Sequence, residues 1–184
     1  MDRDLVERAM AGDHDAFSRL AGASVGRLFA MAKLILRDGE AAEDAVQETL
    51  VAAWRDLSSL RDPDRFGAWL HRLLVRACYR EAGRGRRRSR MEVHVEAIDV
   101  GEPDRSRAIA DRDQLERAFR HLDEAQRSIL VLHFYGGLPL TEVADALRLP
   151  VGTVKSRLHR AMQAMRADLD SEARRVAVRR ERLA

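Results

Sequence analysis

Apolar residues fall at three- and four-residue intervals through most of this chain, a spacing that puts them on one face of an α-helix. Four prolines and an aromatic content of 5% agree with helices better than with a sheet, so an all-α protein is expected. Leu5, Val6, Ala9 and Met10 mark a short first helix, which Gly12-Asp13 ends; Asp13 is also suited to cap the next helix. Phe17, Leu20, Ala21, Leu28, Phe29, Ala32 and Ile35 then define one long helix with a weak point near Gly22 or Gly26. A third helix carries Ala42, Ala45, Val46, Thr49, Leu50, Ala53 and Trp54 as one buried stripe, with Glu43, Asp44, Gln47 and Glu48 on its other faces. After a turn at Arg61-Asp62-Pro63-Asp64, a fourth runs from about Phe66 to Ala82 on Phe66, Trp69, Leu70, Leu73, Leu74 and Ala77.

From Gly83 the pattern breaks. Gly83-Arg84-Gly85-Arg86-Arg87-Arg88-Ser89-Arg90 has no apolar face to bury, and the acidic, aperiodic stretch through Pro103 and Asp104 completes an expected linker. Helical spacing resumes near Ile109, Leu115 and Phe119. Asp123 followed by Gln126 forms a capping-box-like start to a helix through Ser128 to Tyr135, which Gly136-Gly137 stops. Two further helices are expected at about Thr141–Leu147 and Val151–Leu169, and the arginine-rich tail after Asp170 reads as a frayed extension.

The segment from Gly137 to Met162, GLPLTEVADALRLPVGTVKSRLHRAM, has helix-turn-helix spacing. Val143, Ala144 and Leu147 face inward from the first helix, Leu149 plugs the turn, and Val151, Val154, Leu158 and Met165 line the inside of the second. Ala144 is small where two crossing helices leave little room. Lys155, Ser156, His159 and Arg160, with Thr153 at the edge, gather on the opposite face. These are cations and hydrogen-bonding groups with the reach for guanine edges and phosphates in a major groove. From Val151 to Arg166 there are four basic residues and no acidic one. A solvated helix face on a protein-binding bundle is the competing interpretation.

The stretch LDEAQRSILVLHFYGGLPLTEVADALRLPVGTVKSRLHRAMQAMR resembles region four, the promoter −35-binding domain, of bacterial sigma factors of the extracytoplasmic-function type. Three earlier stretches resemble sigma region two in the same order: AGDHDAFSRL its opening, AAEDAVQETLVAAWRDL its polymerase-binding helix, and FGAWLHRLLVRACYRE its promoter-melting helix. The resemblance implies two small helical domains joined by a flexible linker: region two over 1–83, linker 84–106, region four over 107–169 and a basic tail 170–184. It implies a factor that binds core RNA polymerase, through the β′ clamp helices and the β subunit, and directs promoter recognition, DNA melting and initiation. A stand-alone helix-turn-helix regulator is the alternative.

By that resemblance Asp44, Gln47 and Glu48 are the polymerase contacts. The charge suits this, because Asp38 to Glu48 holds five acidic residues and no basic one, a surface for a cationic partner that repels DNA. The fourth helix and the loop Leu57–Asp64 before it are implied to meet the −10 element. Melted bases need aromatic or planar cationic platforms, which Arg72, Arg76, Tyr79 and Arg80 are expected to present outward. From Arg72 to Arg90 eight arginines face Glu81 alone. Thr153, Lys155, Ser156, His159 and Arg160 are the implied −35 contacts, and an anti-sigma factor is an implied partner.

Several classes are disfavoured. A formal net charge of +3 says little about nucleic acid until its distribution is considered. Opposed blocks then emerge: acidic Asp38–Glu48, basic Arg72–Arg90, acidic Glu92–Asp104 and basic Val151–Arg166. The single cysteine, Cys78, is incompatible with an internal disulfide framework and fits a reducing cytoplasm. The charged beginning MDRDLVERAM and the lack of a long apolar run argue against export and membrane insertion, so a cytoplasmic protein is expected, one that an anti-sigma factor could hold at the membrane. The six histidines form no HExxH-like pair, and neither enzyme chemistry, metal, cofactor nor small-molecule substrate is expected.

Overall fold

The computed structural model describes residues 2–89 and 118–181. Helix α1 (Arg3–Met10) is capped by Asp2, and Gly12 at φ +96° makes the turn into α2 (His14–Leu36). Asp13 caps α2 by accepting from the Ala16 amide at 2.9 Å. That hydrogen bond, followed by the Arg8 contact, holds the Asp13 carboxyl below its ordinary range. α2 is continuous through Gly22 and Gly26. Each glycine costs a helix interior about 1 kcal/mol, and burial of Leu20, Leu28, Met31 and Ile35 outweighs it. Asp38 caps α3 (Gly39–Asp56), and two short 3₁₀ turns, Leu57–Ser59 and Pro63–Arg65, lead into α4 (Phe66–Ser89).

Two expectations change here. Trp54 is not part of the buried stripe: it is 37% exposed at the end of α3, with one side of its indole against the rings of His14 and Phe17 at 4.5 and 4.9 Å. The start of α2 covers only that side. Nor does α4 stop near Ala82. It continues through Gly83 to Ser89, where Arg84 pairs with Glu81 and Arg86 reaches Glu124 at 2.7 Å. Arginine is a good helix former, and the ion pairs of Arg84 and Arg86 support the extension. The rest of the expected linker, including the acidic run Glu92–Asp104, and the spacing at Ile109 and Leu115 lie outside the described residues.

The second unit begins with α5 (Glu124–Leu130), whose capping box is complete: Asp123 accepts from the Gln126 amide at 2.7 Å, and the Gln126 side chain accepts from the Asp123 amide at 2.9 Å. Val131–Tyr135 then widen into a π-helix closed by the Gly136 amide on the Val131 carbonyl at 2.8 Å. Gly137 turns the chain at φ +72°, α6 (Leu140–Leu147) follows, and Arg148 at φ +53° leads into α7 (Val151–Glu181). The last is one long helix rather than a helix and a frayed tail.

The two units pack directly on each other. Ile129, Leu132, Val143 and Val154 belong to the same buried cluster as Leu28, Ile35, Leu74 and Cys78. Arginines stitch the seam: Arg27 donates to the Tyr135 carbonyl at 2.6 Å, Arg127 to the carbonyls of Ile35 and Leu122 at 2.6 and 2.5 Å, and Arg65 pairs with Glu142.

Candidate nucleic-acid interface

The helix-turn-helix forms as its spacing requires. Val143, Ala144, Val154 and Ala161 are buried between α6, α7 and their neighbours, while Leu147, Leu149, Val151, Leu158 and Met165 are half-buried. The turn depends on Arg148 in the left-handed region, with the Leu149 amide returning to the Ala144 carbonyl at 3.0 Å. With that side of α7 anchored, Lys155, Ser156, His159 and Arg160 are all exposed, and Thr153 is half-exposed at the edge. The Ser156 hydroxyl donates to the Thr153 carbonyl at 3.0 Å, so its oxygen remains available to accept. This face holds donors and cations on a rigid helix, the arrangement that a major groove admits.

The α4 face is less open than its sequence suggests. Arg76 and Arg80 are exposed and Arg72 is half-buried. Tyr79, expected to point outward, is instead half-buried against the second unit beside Ser128, and burial pushes its phenol up. Trp69 is half-buried against Phe66 at 5.9 Å, as core packing requires.

On α3, Asp44 and Gln47 are exposed, but Glu48 turns toward α4 and accepts from Arg80 at 2.8 Å, with Arg84 at 3.9 Å. Sequence reasoning missed Val51, which is 67% exposed, and the exposed edge of Trp54. Both follow Asp44 and Gln47 at three- and four-residue steps, so one strip of α3 carries acidic, amide and apolar groups together. The unpatterned Val51 was the available signal: an aliphatic residue off the buried stripe.

Two family models match the chain, Sigma-70 region 2 over residues 20–88 and Sigma-70, region 4 over residues 112–165. The chain belongs to the sigma-70 family. This sigma factor is 32% identical over 161 residues to the ECF RNA polymerase sigma factor SigM of Mycobacterium tuberculosis, covering 87% of this chain and 80% of that one. It is 30% identical over 177 residues to the RNA polymerase sigma-H factor of Pseudomonas aeruginosa, covering 89% and 91%. Its fold matches the sigma factor RpoE of Bartonella quintana, solved in complex with the anti-sigma factor NepR, with a TM-score of 0.67 and 26% identity over 84% of this chain and 96% of that one. It is an alternative sigma factor of the extracytoplasmic-function group and directs transcription initiation. Among the described residues no helix is long and apolar enough to cross a membrane.

Proposed function

We propose that this sigma factor docks on the β′ clamp helices of core RNA polymerase with Asp44, Gln47 and Glu48, and also contacts the β subunit. In that holoenzyme Thr153, Lys155, Ser156, His159 and Arg160 read the −35 element as duplex. Arg72, Arg76, Tyr79 and Arg80 hold the melted −10 strand. The observation that carries this reading is the division of α7, with Val154 and Ala161 buried on one side and Lys155, Ser156, His159 and Arg160 exposed on the other. The protein performs no covalent chemistry, works in the cytoplasm, and is held in check by an anti-sigma factor like the partner named for the similar RpoE structure.

The test adds the purified chain to sigma-free core polymerase and measures promoter-dependent transcription. The wild type is expected to initiate, the Asp44→Ala/Glu48→Ala variant to lose polymerase binding, and the Lys155→Ala/Arg160→Ala variant to assemble but lose −35-dependent initiation. Absence of transcription from every promoter of its own genome overturns the reading.

A further inference from the structure

The exposed polar face of α7 carries one side chain whose charge changes near neutral pH. Lys155 and Arg160 are cations there, and Thr153 and Ser156 are neutral, whereas an imidazole such as that of His159 gains or loses its charge between about pH 5 and 8. His159 is exposed one helical turn after Lys155 and one before Gln163, both of them exposed too. Its neighbours on that face are partly committed: the Ser156 hydroxyl donates to the Thr153 carbonyl at 3.0 Å, and Arg160 Nε to the Ser156 carbonyl at 3.4 Å. His159 makes no hydrogen bond, ion pair or ring contact among the described residues, so both its ring nitrogens are open to a ligand. His71, by contrast, is buried, His14 stacks on Trp54, and His133 Nδ1 lies 2.8 Å from the Leu138 carbonyl.

The charges around His159 on α7 itself are cationic: Lys155, Arg160 and Arg166. Of the elements packed against α7, α6 brings Glu142, Asp145 and Arg148, and α5 with the turn before it brings Arg120, His121, Asp123, Glu124 and Arg127. Three of these acids have partners elsewhere: Glu142 pairs with Arg65, Glu124 with Arg86, and Asp123 accepts from the Gln126 amide. Neutral imidazole offers one donor and one acceptor, but the protonated ring offers two donors and no acceptor. In a major groove guanine presents two acceptors, N7 and O6, while adenine mixes an acceptor with a donor and cytosine presents a donor. Protonated His159 therefore matches guanine best, and the surrounding phosphates favour the same form.

We propose that His159 is a specificity-determining residue that reads one guanine of the −35 element in its protonated form, so that the preference for guanine at that position strengthens as pH falls from about 8 to 6. This rests on the proposed assignment of the exposed face of α7 to −35 DNA. The sign follows from linkage: holding guanine takes up a proton from solvent, so the guanine complex gains over the other bases as protons become more available.

The test uses holoenzyme assembled from the full chain and core polymerase, on a promoter active in the transcription assay above, with the base pairs of its −35 element randomised. Bound duplexes are recovered at pH 6 and at pH 8 and sequenced, for wild type, His159→Gln and His159→Arg. Wild type is expected to enrich guanine at one position at least about fivefold more at pH 6 than at pH 8, the lower end of what one base contact discriminates. His159→Arg should keep that guanine preference equally at both pH values, and His159→Gln should exchange it for adenine at both. Identical wild-type preferences at the two pH values, or a pH-dependent position that stays pH-dependent in His159→Gln, overturn the proposal. The Lys155→Ala/Arg160→Ala variant is selected in parallel. If no promoter is active, or if that variant enriches the same −35 sequences as wild type, the functional reading fails and the role of His159 falls with it. If wild type selects a sequence that the double variant does not, but selects it equally at both pH values, the His159 proposal alone fails.

Discussion

Arg80 on α4 donates from Nε to Oε1 of Glu48 on α3 at 2.8 Å, so a residue assigned to DNA and one assigned to polymerase neutralise each other. The second carboxylate oxygen of Glu48 is buried without a hydrogen-bond partner, which leaves the group undersatisfied. On the proposed docking, a cationic polymerase surface that takes Glu48 releases Arg80. Both side chains are partly exposed, so the pair is worth only about 0–1 kcal/mol. Glu48→Gln is expected to raise the free chain's affinity for a −10 oligonucleotide by up to about fivefold while weakening polymerase binding. Anisotropy titrations with and without core polymerase check this: the oligonucleotide gain should vanish in the holoenzyme.

On α7, Lys155→Ala and Arg160→Ala should separate base reading from phosphate binding. Removing a cation that pairs with a phosphate lowers affinity for all sequences and flattens the salt dependence by about one unit of slope. Removing a side chain that reads a guanine edge costs about 1–3 kcal/mol at one base pair and relaxes specificity there. Dissociation constants across a salt series, on the promoter duplex and on single-base variants, distinguish them.

Gly136 closes the π-helix, and a Cβ at that position would lie 2.6 Å from the Leu132 carbonyl oxygen. A backbone atom has little freedom to retreat, so Gly136→Ala should destabilise the fold by about 1–3 kcal/mol. Gly22, helical and with open space where a Cβ would lie, provides the contrast. Gly22→Ala should stabilise by about 0.4–1 kcal/mol. Urea unfolding followed by circular dichroism measures both.

His71 is buried on α4, with its Nδ1 unpartnered. Burial first, and then the nearby positive charge of Arg27, lower its pKa from 6.5 to about 4. Between those values the unfolded chain binds more protons than the folded one, so this group's effect is to reduce stability as pH falls from about 6.5 toward 4. The full shift corresponds to about 3 kcal/mol. His71→Gln should remove that part of the acid sensitivity, seen as a smaller drop in unfolding free energy between pH 7 and pH 4.

What the sequence made legible was local. A cap lies within three residues of the amide it satisfies, so Asp13 and the Asp123/Gln126 box were readable directly. Helix-turn-helix spacing was readable for the same reason: Val143, Ala144 and Val154 mark the inner faces of helices joined by a three-residue turn, and the exposed face of α7 follows from them. Charge blocks also needed no fold. Periodicity names the side of a helix that is apolar, but it does not name the neighbour that covers it. The partial exposure of Trp54, the extension of α4 past Gly83 and the turning of Glu48 toward Arg80 depended on which helix lay alongside.

The residues alone therefore settle the helical character, the two sigma regions and the exposed polar side of α7, because those follow from spacing along single helices. Only the packing of one unit on the other decides that Tyr79 lies against Ser128 and that arginines join the units through Glu142, Glu124 and the carbonyls of Tyr135 and Ile35. These partners are distant in sequence, and their meeting depends on how the second unit settles onto α2 and α4, a choice made by the shared apolar core rather than by any local pattern.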